Sequence, residues 1–340
     1  MKRITQYGML LAGWLCGLTI SQAQIVKKAQ VGFRFLENPV SAEVVGRGGV
    51  GVATTLNSMG IFWNPALISW GEQTIDVTLH HTQWIADISY EAASGTVRIG
   101  DVGVVGMSML WMDYGVFHGT QRAPNTEGFI ETGNFTPYAY AVGISFSQKV
   151  SDRFSYGVHI KHATQDLRYA SVAPTGTTID DPNLSVTRRK YKEGEFAADI
   201  GAYYDFLYNG IKFGATLQNI SREVRYENNP FPLPFAVSFG ATVEPLRFFL
   251  EEGTHETLIL SFESRHPRDF KEKLKLGAEF MFLERFTLRS GYATNYDERG
   301  FSAGVGVRHE LEGFPLRFDY AFQPFGIFGT VHHFSLGVSY

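Results

Sequence analysis

The sequence predicts an all-β protein: a transmembrane antiparallel up-and-down β-barrel of about fourteen strands with a small glycine-rich N-terminal hatch. Three observations lead to this prediction. Strand-length segments alternate apolar with small or charged residues, long and short connections alternate along the chain, and the last segment ends in an aromatic residue. After the first 23 residues no uncharged stretch has the length of a spanning helix, so a membrane-embedded chain would have to close into a barrel.

The composition excludes several other classes of protein. Among 340 residues, 36 are Gly, 28 Phe and 16 Tyr, and only 19% are charged, against about 25% in typical domains. This excludes a disordered or coiled-coil chain. The formal net charge of −4 implies no surface for a polyanion, so no nucleic acid partner is expected. Cys16 is the only cysteine, which leaves no disulfide framework and no cysteine metal site.

Residues 1–23 have the pattern of a secretory signal peptide. A positively charged start precedes an apolar core from Met9 to Ile20, and Ser21 and Ala23 supply the small residues expected before a cleavage site. A membrane-spanning anchor would need about 20 apolar residues, and this core is shorter. We therefore expect cleavage near Ala23 and an exported mature chain without a thiol.

Period-two alternation is clearest between Tyr138 and Phe146, where bulky apolar residues occupy every even position and small residues every odd one. Similar segments recur along the chain, each with one apolar face and one small or charged face. They lie near residues 74–83, 89–99, 102–114, 136–149, 154–168, 195–207, 210–221, 234–245, 255–265, 271–283, 285–294, 299–310, 314–323 and 329–340. An even number of strands is typical of bacterial outer-membrane barrels.

The connections between these segments alternate in length. Those after odd-numbered strands include long loops, whereas those after even-numbered strands include short turns such as Tyr208-Asn209. The long loops are 115–135, 169–194 and 222–233. Long loops on one rim and short turns on the other are typical of an outer-membrane barrel. The 246–254 connection is longer than this rule predicts.

A secreted β-sandwich or β-propeller would also alternate, so other features must decide which face meets lipid. Aromatic residues at strand ends favour a membrane, because such residues form belts at its interfaces. These residues are Trp84, Tyr90, Trp111 and Tyr114. Charges on the small-residue face are expected to line a polar lumen and to neutralise one another there. They are Asp199, Arg289, Arg317 and Asp319.

The final segment carries an apolar face that ends at the chain terminus. Its residues are Phe334, Leu336, Val338 and Tyr340. An amphipathic last strand with an aromatic end resembles the insertion signal of outer-membrane barrels. The barrel assembly machinery and outer-membrane lipid are therefore expected partners.

Residues 24–73 are expected to form a hatch packed within the barrel, and residues 74–340 the barrel itself. The hatch motif contains Gly46, Gly48, Gly49, Trp63, Asn64, Pro65 and Ala66. Glycine and alanine let backbone approach the strand wall closely. Gly46, Gly48 and Gly51 also match the spacing of a dinucleotide-binding loop, but no apolar strand precedes them and no βαβ pattern follows.

Catalytic and metal-binding hypotheses find little support in the sequence. The Gly-x-Ser-x-Gly spacing occurs at Gly300 to Gly304, but it lies within the alternating segment 299–310 and not at the strand-to-helix turn that a nucleophile elbow requires. His80-His81 and His332-His333 are neighbours in strands, so the two rings of each pair point to opposite faces and cannot chelate one metal. We expect no enzymatic activity, no catalytic residue, no metal site and no cofactor.

Several motifs resemble the PorV/PorQ family of outer-membrane proteins, relatives of the FadL-type fatty acid transporters. They are Phe35-Leu36, Gly46-Arg47-Gly48-Gly49, Trp63-Asn64-Pro65-Ala66, Trp84 to Ile88, Leu233-Pro234-Phe235 and Asp319 to Gly326. The resemblance covers nearly all of the mature chain and implies a FadL-like barrel with an N-terminal hatch. Arg47 is a departure from the family, which usually has a hydrophobic residue between these glycines.

The resemblance implies a non-enzymatic accessory of protein secretion or surface attachment, of the type IX kind, in the cell outer membrane. It also implies two further partners, a secretion translocon and cargo with C-terminal sorting domains. The alternative is a FadL-like channel for uptake of hydrophobic small molecules. A large hydrophobic pocket continuous with a gap in the wall would favour the channel. An exposed groove formed by the 115–135 and 169–194 loops would favour a protein partner.

Overall fold

The computed structural model of the chain describes residues 31–54, 57–123, 125–172, 187–249 and 256–340. The predicted signal peptide, residues 1–23, lies outside these ranges. Fourteen strands close into an antiparallel barrel, and two further strands form a separate hairpin. The predicted fold class and the number of barrel strands are confirmed.

The strands are numbered here in chain order. They are β1 (Ile75–Gln83), β2 (Ser89–Ile99), β3 (Gly103–Asp113), β4 (Phe117–Arg122), β5 (Phe129–Phe135), β6 (Tyr138–Lys149), β7 (Phe154–Val172), β8 (Thr187–Asp205), β9 (Lys212–Ser221), β10 (Ala236–Val243), β11 (Thr257–Pro267), β12 (Lys273–Phe282), β13 (Phe286–Ala293), β14 (Phe301–Leu311), β15 (Phe314–Pro324) and β16 (Thr330–Ser339). Strands β4 and β5 pair only with each other, so β3 pairs with β6, and β1 pairs with β16 to close the barrel.

Each predicted segment contains one barrel strand, and the differences lie at the long-loop rim. The predicted loop 115–135 contains the β4–β5 hairpin. Most side chains of this hairpin are exposed on both faces, so no period-two pattern marks it in the sequence. Strands β7 and β8 also run further than predicted and together reach the longest pairing in the barrel.

The alternating faces point as expected for a barrel in lipid. Along β1, exposed Ile75, Val77 and Leu79 alternate with buried polar residues such as Asp76 and Thr78. A soluble sandwich would bury the apolar face between its sheets, whereas here the apolar face is outside and the polar face lines the lumen. Within the described ranges, no helix combines the length and apolar character that a membrane crossing requires.

The N-terminal segment lies inside the barrel. It contains the helix α1 (Ala42–Gly46) and the 3-10 helices η1 (Arg34–Glu37), η2 (Ser58–Phe62) and η3 (Pro65–Trp70). At its start, the Gly32 N–H donates to the Pro232 carbonyl (3.1 Å) near the long-loop rim. At its end, the Trp70 indole donates to the Ser155 hydroxyl (2.7 Å) near the short-turn rim. The segment therefore passes through the lumen from one rim to the other.

The aromatic residues at the strand ends do not all face outward. Trp111 lies outside and stacks on Tyr138 with ring centroids 5.0 Å apart, as expected of an interfacial belt. Tyr90 does not: its side chain is buried in the lumen, and its hydroxyl donates to the Phe35 carbonyl. The prediction was wrong for Tyr90. Alternate residues of β2 face the lumen, and Tyr90 occupies one of these positions, opposite η1.

Two short 3-10 helices lie in connections between barrel strands. They are η4 (Pro245–Phe248), at the start of the unusually long 246–254 connection, and η5 (Gly326–Phe328), in the loop before β16. The Glu244 N–H donates to the Asn209 carbonyl (2.9 Å) of the neighbouring turn. This contact fixes the start of the long connection at the short-turn rim.

Candidate functional site

The hatch lies directly against the barrel wall because the wall presents glycines where the hatch backbone passes. A Cβ added at Gly157 would lie 2.6 Å from the Pro65 carbonyl oxygen, and one at Gly277 would lie 2.5 Å from the Arg47 carbonyl oxygen. No real Cβ approaches an atom so closely. The small-residue face of these strands is therefore shaped to receive the hatch as well as to face the lumen.

The hatch glycines end α1 and continue this close packing. Gly48 and Gly49 have φ of 73° and 81°, and the Gly49 N–H donates back to the Val44 carbonyl (2.9 Å). Left-handed glycines commonly end a helix in this way. A Cβ on Gly48 would also lie 2.7 Å from the Leu276 carbonyl oxygen, and one on Gly46 would lie 3.2 Å from Arg289 Cβ. Gly48 therefore needs both its backbone freedom and its lack of a side chain.

The second half of the hatch motif forms a hydrogen-bonded bend. The Asn64 amide donates to the carbonyls of Val52 (2.9 Å) and of wall residue Ala202 (3.0 Å), and its oxygen accepts from the Ala66 N–H (3.1 Å). Asn64 thus caps η3, and Pro65 occupies the first position, where its fixed φ suits a helix start. Trp63 is half-buried beside the lumen cavity.

A buried chain of charges joins the hatch to the wall. Arg47 Nη1 lies 3.0 Å from Glu43 Oε1 and 2.7 Å from Glu279 Oε2 on β12. Arg289 on β13 then contacts Glu279 (2.6 Å) and Asp319 on β15 (2.6 Å). Burial opposes ionisation of Glu43, but Arg47 and Arg289 outweigh it and lower the pKa of this hatch carboxyl from 4.5 to about 2. The hatch is therefore held by ionised groups.

Three charged wall residues make further hydrogen bonds to the hatch. Glu263 Oε2 accepts from the Gly51 N–H (2.9 Å) and the Val52 N–H (3.2 Å). Lys275 Nζ donates to the Gly49 carbonyl (2.9 Å) and to Glu263 Oε1 (2.6 Å). The Asp76 carboxylate accepts from the Ser58 N–H (2.9 Å). Sequence analysis missed these residues because the contacts form only where the hatch lies against the closed wall.

The structure brings only two of the four predicted lumen charges into contact with each other, Arg289 and Asp319. Arg317 instead pairs with Asp76 at 2.5 Å. Asp199 Oδ2 accepts from Lys161 Nζ at 2.7 Å and lies 3.0 Å from His159 Nδ1. The lumen thus contains several local charge clusters.

The other ring nitrogen of His159, Nε2, lies 2.9 Å from the Ser108 hydroxyl. Ser108, His159 and Asp199 are therefore hydrogen-bonded in the same order as the residues of a Ser-His-Asp catalytic triad. Catalysis by such a triad also needs free N–H donors for the developing oxyanion. Ser108 lies mid-strand in β3, between Ser94 of β2 and Gly143 of β6, so the surrounding backbone N–H groups serve the barrel ladder. The arrangement is therefore interpreted as a lumen hydrogen-bond network.

Space remains at two levels of the lumen. A cavity of about 80 Å³ lies between hatch and wall and is bordered by Trp63, Leu110 and His159. Above it, at the long-loop rim, a cavity of about 750 Å³ is lined by five basic and two acidic side chains. We call it the basic vestibule; its charged residues are Arg34, Arg265, Lys271, Lys273, Arg299, Glu37 and Asp297. Sequence analysis missed it because they come from three separate segments.

An apolar groove of about 610 Å³ lies on the outer surface of β1 to β3 and β6 to β8. Its lining includes Met107, Met109, Ile144 and Phe196. Ser108 borders both this groove and the lumen cavity, but its strand pairs continuously with both neighbours, so the wall is closed there. Among the residues that the structure describes, no cluster of three or more His, Cys, Asp or Glu side chains could hold a metal ion.

Comparison with known proteins gives one family match. A family model described as type IX secretion system protein PorV matches residues 21–260. A search of curated proteins found no match.

Several solved structures share the fold. The toluene transporter TodX of Pseudomonas putida has a TM-score of 0.58 at 10% identity, over 92% of this chain and 98% of the transporter. The toluene transporter TbuX of Ralstonia pickettii has a TM-score of 0.57 at 12% identity, over 90% and 98%. CymD, a monoaromatic hydrocarbon channel, has a TM-score of 0.56 at 13% identity, over 88% and 96%. At these identities the likeness establishes the shared barrel architecture.

Proposed function

We propose, since this chain belongs to the PorV family of type IX secretion system proteins, that it is an outer-membrane accessory of protein secretion or surface attachment. The family match over residues 21–260 is the observation on which this conclusion rests. Its role is to engage the translocon and cargo proteins with C-terminal sorting domains. This role requires binding surfaces and no chemistry, and we infer that the protein is not an enzyme.

The hatch fills most of the lumen, which favours a protein that tethers secretion partners over a channel that conducts small molecules. The inner cavity of the lumen is about 80 Å³, smaller than the cavity of about 150 Å³ that can hold benzene. The charge chain from Glu43 through Arg47 to Glu279 holds the hatch in place. A solute would have to displace that chain before it could pass.

The long-loop rim offers surfaces for a protein partner. The β4–β5 hairpin and the extended ends of β7 and β8 lie at this rim, which in outer-membrane barrels is extracellular. In this proposal the leader is removed near Ala23. The barrel assembly machinery then inserts the barrel by its last strand, and the outward apolar residues contact outer-membrane lipid.

The test is affinity purification of the tagged full-length protein from outer membranes in mild detergent, followed by mass spectrometry. We expect type IX translocon subunits and cargo with C-terminal domains to co-purify. A variant with Phe117–Phe135 replaced by a short Gly-Ser linker should lose cargo and keep its heat-modifiable gel migration. If neither translocon nor cargo is recovered, and deletion of the gene leaves secretion unchanged, the proposal is wrong.

A second candidate function is a channel for hydrophobic small molecules. It is favoured by the shared fold of the hydrocarbon transporters and by the outer groove, which only the β3 wall separates from the lumen cavity at Ser108. Uptake of a radiolabelled long-chain fatty acid or toluene by cells with and without the gene separates the two candidates. The secretion role predicts equal uptake, and the channel predicts a clear loss.

A further inference from the structure

We propose that the basic vestibule is a binding site for a carboxylate group of an extracellular polypeptide. The inference rests on the proposed function, which places protein partners at the long-loop rim, and it names the chemistry by which one would be held. The vestibule lies between the β11–β12 and β13–β14 loops, both at that rim.

The vestibule carries a net positive charge, whereas the whole chain carries a net negative charge. Overall, 34 acidic residues outnumber 30 basic ones, yet the vestibule has five basic side chains against two acidic ones. Arg34 has partners, Glu37 at 2.8 Å and Asp269 at 2.9 Å. Within the described ranges, Lys273 and Arg299 have no carboxylate within 4.0 Å.

Aromatic rings position these two cations. Lys273 is only 7% exposed, and its Nζ lies 4.2 Å from the ring centroid of Tyr296 and 5.1 Å from that of Phe270. The Arg299 guanidinium lies 4.0 Å from the Tyr296 ring centroid. A ring face attracts a cation but does not neutralise it. A buried ammonium without a counter-ion is unfavourable, so a bound anion would relieve that cost.

The pKa of Tyr296, in the loop between β13 and β14, shows that the electrostatic potential in the vestibule is positive. Burial alone would raise the pKa of its phenol, but Arg299, Lys275, Lys273 and Arg265 outweigh burial and lower that pKa from 10.0 to about 8. The same cations would favour any other anionic oxygen placed near this ring.

The shape of the lumen favours a polar ligand over an amphiphile. The vestibule, at about 750 Å³, is large enough for a small-molecule-sized group, and Asn38 and Asn295 add amides to its charged lining. The cavity beneath it is about 80 Å³ and the vestibule itself has a charged lining, so neither offers an acyl chain a large apolar pocket. The planar Arg299 guanidinium suits a carboxylate, which it can bind through two parallel hydrogen bonds.

The experiment is isothermal titration of the detergent-solubilised full-length protein with three N-acetylated peptides. Amidated hexaglutamate carries side-chain carboxylates, hexaserine with a free C-terminus carries one terminal carboxylate, and amidated hexaserine carries none. We expect hexaglutamate, free-ended hexaserine or both to bind and the uncharged peptide not to bind. The peptide that binds identifies the source of the carboxylate. Binding should weaken as salt is added.

The test variant is Lys273→Met combined with Arg299→Gln, which removes both charges and keeps side-chain length. It should weaken peptide binding about tenfold or more, since two charge-assisted contacts are lost. Arg285→Gln, an exposed position at the short-turn rim, is the matched control and should bind as wild type. Heat-modifiable migration checks that each variant is folded.

The proposal is overturned if neither carboxylate peptide binds, or if the double variant binds as wild type does. These results leave the secretion role intact when translocon subunits still co-purify with the protein. Conversely, if the carboxylate peptide binds but neither translocon nor cargo is recovered and gene deletion leaves secretion unchanged, the secretion role is wrong and the vestibule assignment stands.

Discussion

The guanidinium of Arg47 in the hatch lies 2.7 Å from the carboxylate of Glu279 on β12, and both side chains are buried. These residues are 232 positions apart in the sequence. Glu279 also contacts Arg289, so the hatch is joined through this one carboxylate to a charge chain that crosses three strands. Arg47 is thus the main ionic anchor of the hatch.

Breaking that anchor should destabilise the barrel. Arg47→Met leaves Glu43 and Glu279 buried without their shared cation, and loss of one partner of a buried pair costs roughly 3–5 kcal/mol. The midpoint of urea unfolding, followed by heat-modifiable gel migration, should fall. Glu227→Gln breaks the half-exposed pair with Arg189 (3.4 Å) and should have little effect. Equal midpoints for the two variants would show that Arg47 is not an anchor.

Gly48 should tolerate no side chain. Gly48→Val is expected to disturb hatch packing, since a Cβ there would lie 2.7 Å from the Leu276 carbonyl oxygen, and to reduce the folded fraction on heat-modifiable gels. Gly313→Val is the matched control: Gly313 also has a left-handed φ, 86°, but nothing lies within 4 Å of its Cβ position. Unchanged migration of the Gly48 variant would refute the close hatch contact.

Stability should fall in acid through Glu43. Because folding lowers the pKa of this carboxyl from 4.5 to about 2, the stability it contributes is present above about pH 4.5 and is lost as the pH falls toward 2. Urea midpoints of wild type and Glu43→Gln, measured from pH 7 to pH 2.5, should therefore differ most at pH 7 and converge in acid. A constant difference across that range would contradict the ionised state of Glu43.

The Ser108, His159 and Asp199 network should have no hydrolytic activity. The backbone N–H groups near Ser108 belong to the barrel ladder and leave no oxyanion site. The purified protein should release no p-nitrophenol from p-nitrophenyl butyrate above the rate of Ser108→Ala. Turnover that Ser108→Ala abolishes would make the protein an enzyme.

Local periodicity was enough to predict the strands, whereas the signal peptide, the alternating loop lengths and the aromatic strand ends were needed to predict a membrane barrel. Most outward strand faces are apolar, as in β12, where outward Leu274 and Leu276 alternate with Lys275 and Gly277. The β4–β5 hairpin escaped prediction because solvent surrounds both of its faces and alternation carries no information there. Periodicity marks a strand only when its two faces meet different surroundings.

The candidate site was less predictable. The hatch glycines stand out in composition, but Arg47 and Glu279 meet only through the closed register of the barrel. The basic vestibule combines Arg34 of the hatch with Lys273 at the start of β12 and Arg299 from the β13–β14 connection. No local pattern brings these residues together, because their proximity depends on strand order and shear rather than on neighbouring residues.

The most direct test is electron paramagnetic resonance of nitroxide labels in proteoliposomes, using single cysteines in the mature chain, which has none of its own if residues 1–23 are removed. Labels at Leu276 and Phe318, 59% and 50% exposed on the outer wall, should collide often with oxygen and rarely with a water-soluble nickel complex. A label at His118 on the exposed hairpin should show the opposite. Frequent nickel collisions at Leu276 and Phe318 would mean that the apolar face does not meet lipid, and the membrane barrel would be wrong.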